Sequence, residues 1–195
     1  MKQIVIIHGG DSFLSYDEYI TDLKATQLDY NRLRPAKRWK DVIVETFIDA
    51  DVLVPTMPNS ANAQYDEWKI WFEKIIPFFK DDVRLIGHSL GAMFLAKYLH
   101  ENPLASPVRQ LILLAAGYDQ DEQGYGSFAI DSVTRLSQSA ERVYLFHSQD
   151  DVVVPYSELA KFHADLPDAT VYSFSDRNHF LDADFPELIE LLKQK

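Results

Sequence analysis

The 195-residue chain contains no cysteine. That absence excludes disulfides, thiolate metal sites and a thiol nucleophile, leaving hydroxyl, amine and carboxylate side chains for any covalent chemistry. Basic residues are also scarce: 19 Lys and Arg stand against 30 Asp and Glu, a net charge of −11. Nucleic acids and anionic membrane surfaces bind through clustered Lys and Arg, so both are poor partners for this chain. Long apolar runs are missing too. The first run, residues 4–7, is too short for a signal-peptide core and no small-residue cleavage site follows it. Nothing approaches the roughly 18 apolar residues of a membrane span. A soluble cytoplasmic protein is the expectation.

What is present is a core-forming composition, 47% apolar with 13% aromatic residues, which excludes a disordered chain. The length suits one domain covering residues 1–195. Short β-branched runs at 4–7, 52–55, 83–86, 110–115, 142–146 and 170–174 alternate with stretches of helical period. That alternation is the pattern of a parallel sheet covered by helices on both faces, a three-layer α/β/α sandwich. Tyr65, Trp68, Phe72, Ile75, Ile76 and Phe79 fall on one helical face, and residues 90–100 read as a helix stopped before Pro103. Two more helices are expected at 157–166, with Ser157 as N-cap, and at 185–192, with Pro186 in the first turn.

Residues 11–40 form a longer connection than a minimal β-α-β unit needs. Tyr16, Tyr19, Ile20 and Leu23 suggest one amphipathic helix. Trp39, Val42, Ile43 and Phe47 suggest a second, although the β-branched Val42-Ile43-Val44 would also suit a strand. The basic bridge between them, residues 31–38, reads either as a surface connection or as part of a lid.

Gly87-His88-Ser89-Leu90-Gly91 directly follows one predicted strand and directly precedes a predicted helix. This is the strand–turn–helix context of a nucleophile elbow, in which glycines permit close packing and the serine is held strained and exposed. The helix start would turn the Leu90 amide toward a developing oxyanion. A plain Gly-rich turn with an N-capping serine is the alternative. A serine nucleophile needs a base, and the base needs an orienting acid. Of the six histidines, His100 and His163 lie on helices, His88 sits inside the elbow with its side chain turned from the nucleophile, and His8 and His147 end strands. His179 alone occupies a loop between the last strand and the last helix, where an imidazole can reach over the sheet. After the fifth strand come two candidate acids, Asp150 and Asp151.

The order Ser, Asp, His and the motifs at the strand ends resemble the α/β-hydrolase superfamily over nearly the whole chain. Within it the chain is similar to the small serine hydrolases related to retinoblastoma-binding protein nine and YdeN-like bacterial proteins. The matching patches are His8-Gly9-Gly10, Met57-Pro58-Asn59, Gly87–Ala92 around Ser89, Ser148-Gln149-Asp150-Asp151 with Val154-Pro155, and Asn178-His179-Phe180. The resemblance implies a compact α/β-hydrolase fold with a mostly parallel six-stranded sheet in the order 2-1-3-4-5-6. It assigns Asp151 as the acid, with Val154-Pro155 following it, and leaves Asp150 to cap or brace the loop. It also implies a second oxyanion donor after the first strand, the amide of Gly10 or that of neighbouring Asp11. The 11–40 segment is longer than that branch usually carries. A retinoblastoma-pocket Leu-x-Cys-x-Glu motif cannot occur without cysteine, so that partner is not implied.

The expected activity is hydrolysis of a small or medium ester or amide by Ser89, Asp151 and His179 through an acyl-enzyme, carboxylesterase-like and without metal or organic cofactor. A peptidase or thioesterase would use the same triad, and a binding module that has lost turnover would keep the fold. Two segments are candidate walls for the substrate: the 11–40 segment, through Phe13, Tyr16, Tyr19 and Ile20, and the glycine-containing loop 118–128 with its acids Asp119, Asp121 and Glu122.

Overall fold

A computed structural model describes residues 1–119 and 124–194, and the side chains of all of these except Asn31 and Arg32. Six strands form one sheet: β1 (Gln3–Ile7), β2 (Asp51–Leu53), β3 (Val83–His88), β4 (Gln110–Leu114), β5 (Val143–Ser148) and β6 (Thr170–Phe174). All pairings are parallel, in the order β2-β1-β3-β4-β5-β6. Strands buried on both faces read as unbroken apolar runs, which is why QIVII and QLILL carry no polar alternation at their centres.

The period of two sorts each run between two cores. Val5, Ile7, Leu85, Leu111, Leu113 and Leu145 face one side, beneath α3 (Tyr65–Ile75), α4 (Leu90–Glu101) and α5 (Ser157–Asp165). Ile4, Ile6, Ile86, Ile112, Leu114 and Phe146 face the other, against α2 (Trp39–Thr46) and α6 (Pro186–Lys193). The result is the three-layer α/β-hydrolase architecture. No helix among the described residues is long and apolar enough to cross a membrane.

Several element ends differ from the sequence expectation. β5 runs on to Ser148 because β6 pairs with it as far as Ser148 opposite Phe174. The edge strand β2 stops at Leu53, short of Pro55, which has no N–H to offer a ladder. Ser157 is not the N-cap of α5. Tyr156 already has helical torsions and the Glu158 amide bonds the Pro155 carbonyl, so the chain enters the helix through a tight turn one residue earlier. The Val42-Ile43-Val44 stretch is helical, as part of α2, where Trp39 and Ile43 one turn apart are buried.

The helix α1 (Tyr16–Ala25) behaves differently from the rest. It is well capped, with Ser15 Oγ accepting from the Glu18 amide and Glu18 reaching back to the Leu14 amide. Yet it buries no residue, and Tyr16 is 67% exposed. Local capping and propensity hold this helix, with little help from packing.

Because every strand is parallel, the loops after β1, β3, β5 and β6 all open at one edge. The strand order reverses beside β1, which leaves a crevice between the loops after β1 and β3.

Candidate active site

Ser89 is the single residue between β3 and α4, and its torsions are φ 55° and ψ −124°. A non-glycine residue there carries strain on the order of 1–3 kcal/mol, sustained only if the surroundings enforce it. They do. The Ser89 amide donates to the Leu114 carbonyl at 2.8 Å, and the Ser89 carbonyl accepts from the Ala92 amide at 2.9 Å. Gly91 permits the fit, because a Cβ there would stand 2.4 Å from the carbonyl oxygens of both Ile7 and His8.

The loop after β6 brings His179 to the acid loop after β5. His179 Nδ1 lies 2.8 Å from Asp151 Oδ2. A carboxylate can only accept, so Nδ1 carries a proton, and in the neutral ring the lone pair is on Nε2. The other Asp151 oxygen accepts from the amides of Val153 at 2.8 Å and Val154 at 3.0 Å. Burial alone would raise the Asp151 carboxyl, but the bonds from His179, Val154 and Val153 outweigh it and hold the group below the usual carboxylate range. Asp150 has a different task. Its Oδ1 accepts from Ser148 Oγ and from the Asn178 amide, tying the loop after β5 to the loop after β6.

The loop after β1 supplies amides beside Ser89. The Asp11 amide is already bonded to the Ser60 carbonyl at 2.8 Å, so it is not free to hold an oxyanion. Among the described residues, no acceptor takes the amides of Gly10 or Leu90. Gly10 lies so close to the neighbouring loop that a Cβ would stand 2.4 Å from the Ser60 oxygen. That buttress is the role of the Met57-Pro58-Asn59 patch and its continuation. The Met57 amide donates to His8 Nε2 at 2.8 Å, the Ala63 amide to the Asp11 carbonyl at 2.8 Å, and Trp68 Nε1 to the Pro58 carbonyl at 2.7 Å. His8 is thus a brace for the loop. The Ser60 carbonyl had no signature in the sequence.

The family model for serine hydrolases matches residues 30–193. The chain belongs to the serine hydrolase family. It is 29% identical to serine hydrolase RBBP9 of Rattus norvegicus over 152 residues, 72% of this chain and 75% of the rat protein. It is 27% identical to YdeN of Bacillus subtilis strain 168 over 143 residues, 69% of this chain and 72% of YdeN. The crystal structure of the B. subtilis ydeN product superposes with a TM-score of 0.76 at 20% identity, covering 98% of this chain and 97% of that one.

In this serine hydrolase a cavity of about 220 Å³ opens beside Ser89, between Gly10, Phe13, Met93, Tyr125 and Val154. Asp11 and Asp22 line the same cavity, and partial burial together with the charge of Asp22 raises the Asp11 carboxyl above its ordinary value. The 11–40 segment therefore reaches the cavity through Phe13 and Asp22, while Tyr16 points to solvent. In the loop after β4, Asp119 pairs with Lys161 at 2.6 Å, whereas Asp121 and Glu122 lie outside the described residues.

The histidine inside the elbow has a part that sequence reasoning missed. His88 Nε2 donates to the main-chain carbonyl of His179 at 2.8 Å, and the two rings lie 4.9 Å apart. Burial first, and then neighbouring His179, push His88 down to about 4. It is therefore neutral over the range in which histidines ordinarily titrate. His147 is also structural, buried and 3.1 Å from the Val154 carbonyl, where it steadies the acid loop.

Proposed function

We propose that this hydrolase cleaves esters or amides of small or medium acyl groups, with Ser89 as nucleophile, His179 as base and Asp151 as orienting acid. The observation that carries the reading is the 2.8 Å contact from His179 Nδ1 to Asp151, which leaves Nε2 of the neutral ring as the proton acceptor for Ser89. Nε2 takes the hydroxyl proton as Oγ bonds to the acyl carbon. The carbonyl π pair moves onto oxygen, and the amides of Leu90 and Gly10 stabilise the resulting anion. The tetrahedral species collapses, Nε2 gives its proton to the departing alkoxide or amine, and an acyl-Ser89 ester remains. Water, deprotonated by the same nitrogen, releases the acid and restores the serine.

Support for a short acyl chain comes from the cavity, whose volume of about 220 Å³ is below the range usual for drug-sized ligands. Its two carboxylates favour neutral or cationic acyl groups over anionic ones. We read residues 11–40 as an insertion within one hydrolase unit, a cap whose inner edge, Phe13 and Asp22, forms part of the cavity wall. A panel of p-nitrophenyl esters, aminoacyl amides and acyl thioesters of increasing chain length tests the reading. Turnover falling steeply beyond medium chains supports it. Turnover by a Ser89→Ala protein equal to wild type on every class overturns it.

A further inference from the structure

The loop that carries His179 is held in a conformation it would not choose alone. Asn178 and Phe180, on either side of the histidine, both have positive φ, 46° and 51°. Asparagine visits the left-handed region readily, but for a bulky phenylalanine such torsions need an external constraint. The surrounding structure supplies that constraint. Four successive main-chain carbonyls, those of residues 179–182, each accept a hydrogen bond from outside the loop. His88 Nε2 donates to the His179 carbonyl at 2.8 Å, and Trp39 Nε1 to the Phe180 carbonyl at 3.0 Å. Arg38 Nη1 donates to the Leu181 carbonyl at 2.8 Å, and the Trp39 amide to the Asp182 carbonyl at 3.2 Å.

Three of these four donors belong to two consecutive residues, Arg38 and Trp39, where the 11–40 segment ends and α2 begins. The anchor is itself firm. The Arg38 amide donates to Asp41 Oδ2 at 2.8 Å, and the Trp39 ring is buried edge-on against His88 and Phe185. At its other end the same segment leaves the loop that bears Gly10. The cap segment thus joins the loop offering the oxyanion amide to the loop offering the imidazole.

We propose that Arg38 and Trp39 are positioning residues for His179: they grip the loop carbonyls and so keep the imidazole between Asp151 and Ser89. The proposal rests on the reading of His179 as base. A catalytic group displaced by about 1 Å can lose on the order of 10² in rate, so loosening the grip should act on turnover and leave substrate binding largely intact.

The test uses the full chain with Arg38→Met, Arg38→Lys, Trp39→Phe and His179→Ala. For a p-nitrophenyl ester, kcat and KM are measured separately. The far-downfield proton resonance of an imidazole N–H bonded to a carboxylate reports the His179–Asp151 contact, and urea midpoints report folding. Arg38→Met keeps the side-chain stem but removes the donor, while Trp39→Phe keeps a ring and removes Nε1. The expectation is that kcat falls roughly 5- to 50-fold in both with KM within about twofold, that the downfield resonance broadens or disappears, and that Arg38→Lys recovers part of the loss. Arg38 is only partly buried, so its variants carry the test if Trp39→Phe fails to fold. If His179→Ala is inactive while folded Arg38→Met keeps wild-type kcat and resonance, the positioning role is overturned and the base assignment stands. If His179→Ala retains wild-type kcat, the base assignment falls, and the positioning role with it.

Discussion

Asp151 meets His179 across 2.8 Å, although Asp150, its immediate neighbour, turns its carboxylate to Ser148 and the Asn178 amide. Two adjacent acids on one turn thus serve two loops in two ways. One fixes an imidazole, and the other ties down the backbone just before it.

The division of labour separates the two in a simple experiment. Asp151→Asn should lower kcat by roughly 10⁴, because an amide cannot hold the imidazole in the tautomer that accepts the serine proton. Asp150→Asn should keep kcat within about tenfold of wild type, since it retains an acceptor oxygen. Steady-state kinetics on both variants with one p-nitrophenyl ester decides this.

The lowered pKa of Asp151 has a stability consequence in acid. A carboxyl whose folded value lies below its unfolded value, about 3.9, stabilises the fold above that pH and loses the contribution as pH falls through the folded value. Chemical denaturation from pH 6 down to pH 2 should show stability declining below about pH 4, and Asp151→Asn should flatten that decline.

His88 acts in a different window. Its folded value is about 4, below the roughly 6.5 of an unfolded histidine, so the unfolded chain binds the extra proton between these limits. Its contribution to stability should therefore diminish as pH drops from about 6.5 toward 4 and change no further below that. Urea midpoints across this window should fall less steeply in His88→Gln than in wild type.

The loop bearing Gly10 has no slack where it passes Ser60. In Gly10→Ala the new methyl would lie 2.4 Å from the Ser60 oxygen, so one loop must move. Displacing a single oxyanion donor costs on the order of 10²–10³ in kcat. The variant should show that loss with the His179–Asp151 resonance unchanged, measured by kinetics and proton NMR together.

Charge in the cavity should select among acyl groups. Asp11→Asn and Asp22→Asn should each raise kcat/KM for an anionic succinyl-type ester relative to its neutral methyl ester, by roughly 3- to 30-fold at low salt, with the effect shrinking as salt screens it. Ratios measured at two ionic strengths check both parts of the expectation.

Much of the fold was legible in the sequence for one physical reason. Central parallel strands are buried on both faces, so residues 4–7 and 110–114 stand out as apolar runs wherever they occur. Ser89 was legible because its glycines must adjoin it in sequence to let α4 approach β1. The choice between Asp150 and Asp151 does not follow from local pattern, since both sit on one turn and only the placement of a residue 28 positions away distinguishes them. The helix α1 has the amphipathic look of a packed helix, yet none of its residues is buried. The grip of Arg38 and Trp39 left no trace, because its acceptors are main-chain carbonyls about 140 residues distant and any residue type supplies a carbonyl. Ser60 was invisible for the same reason.

The central claim, a Ser89 nucleophile activated by His179, is tested most directly by covalent labelling. A fluorophosphonate probe is incubated with the wild-type chain, Ser89→Ala and His179→Ala, and the adduct is located by peptide mass spectrometry. One adduct per chain on Ser89, none on Ser89→Ala and labelling slowed by at least roughly 10³ in His179→Ala is the predicted result. Equal labelling of wild type and Ser89→Ala, or an adduct on any other residue, would contradict it.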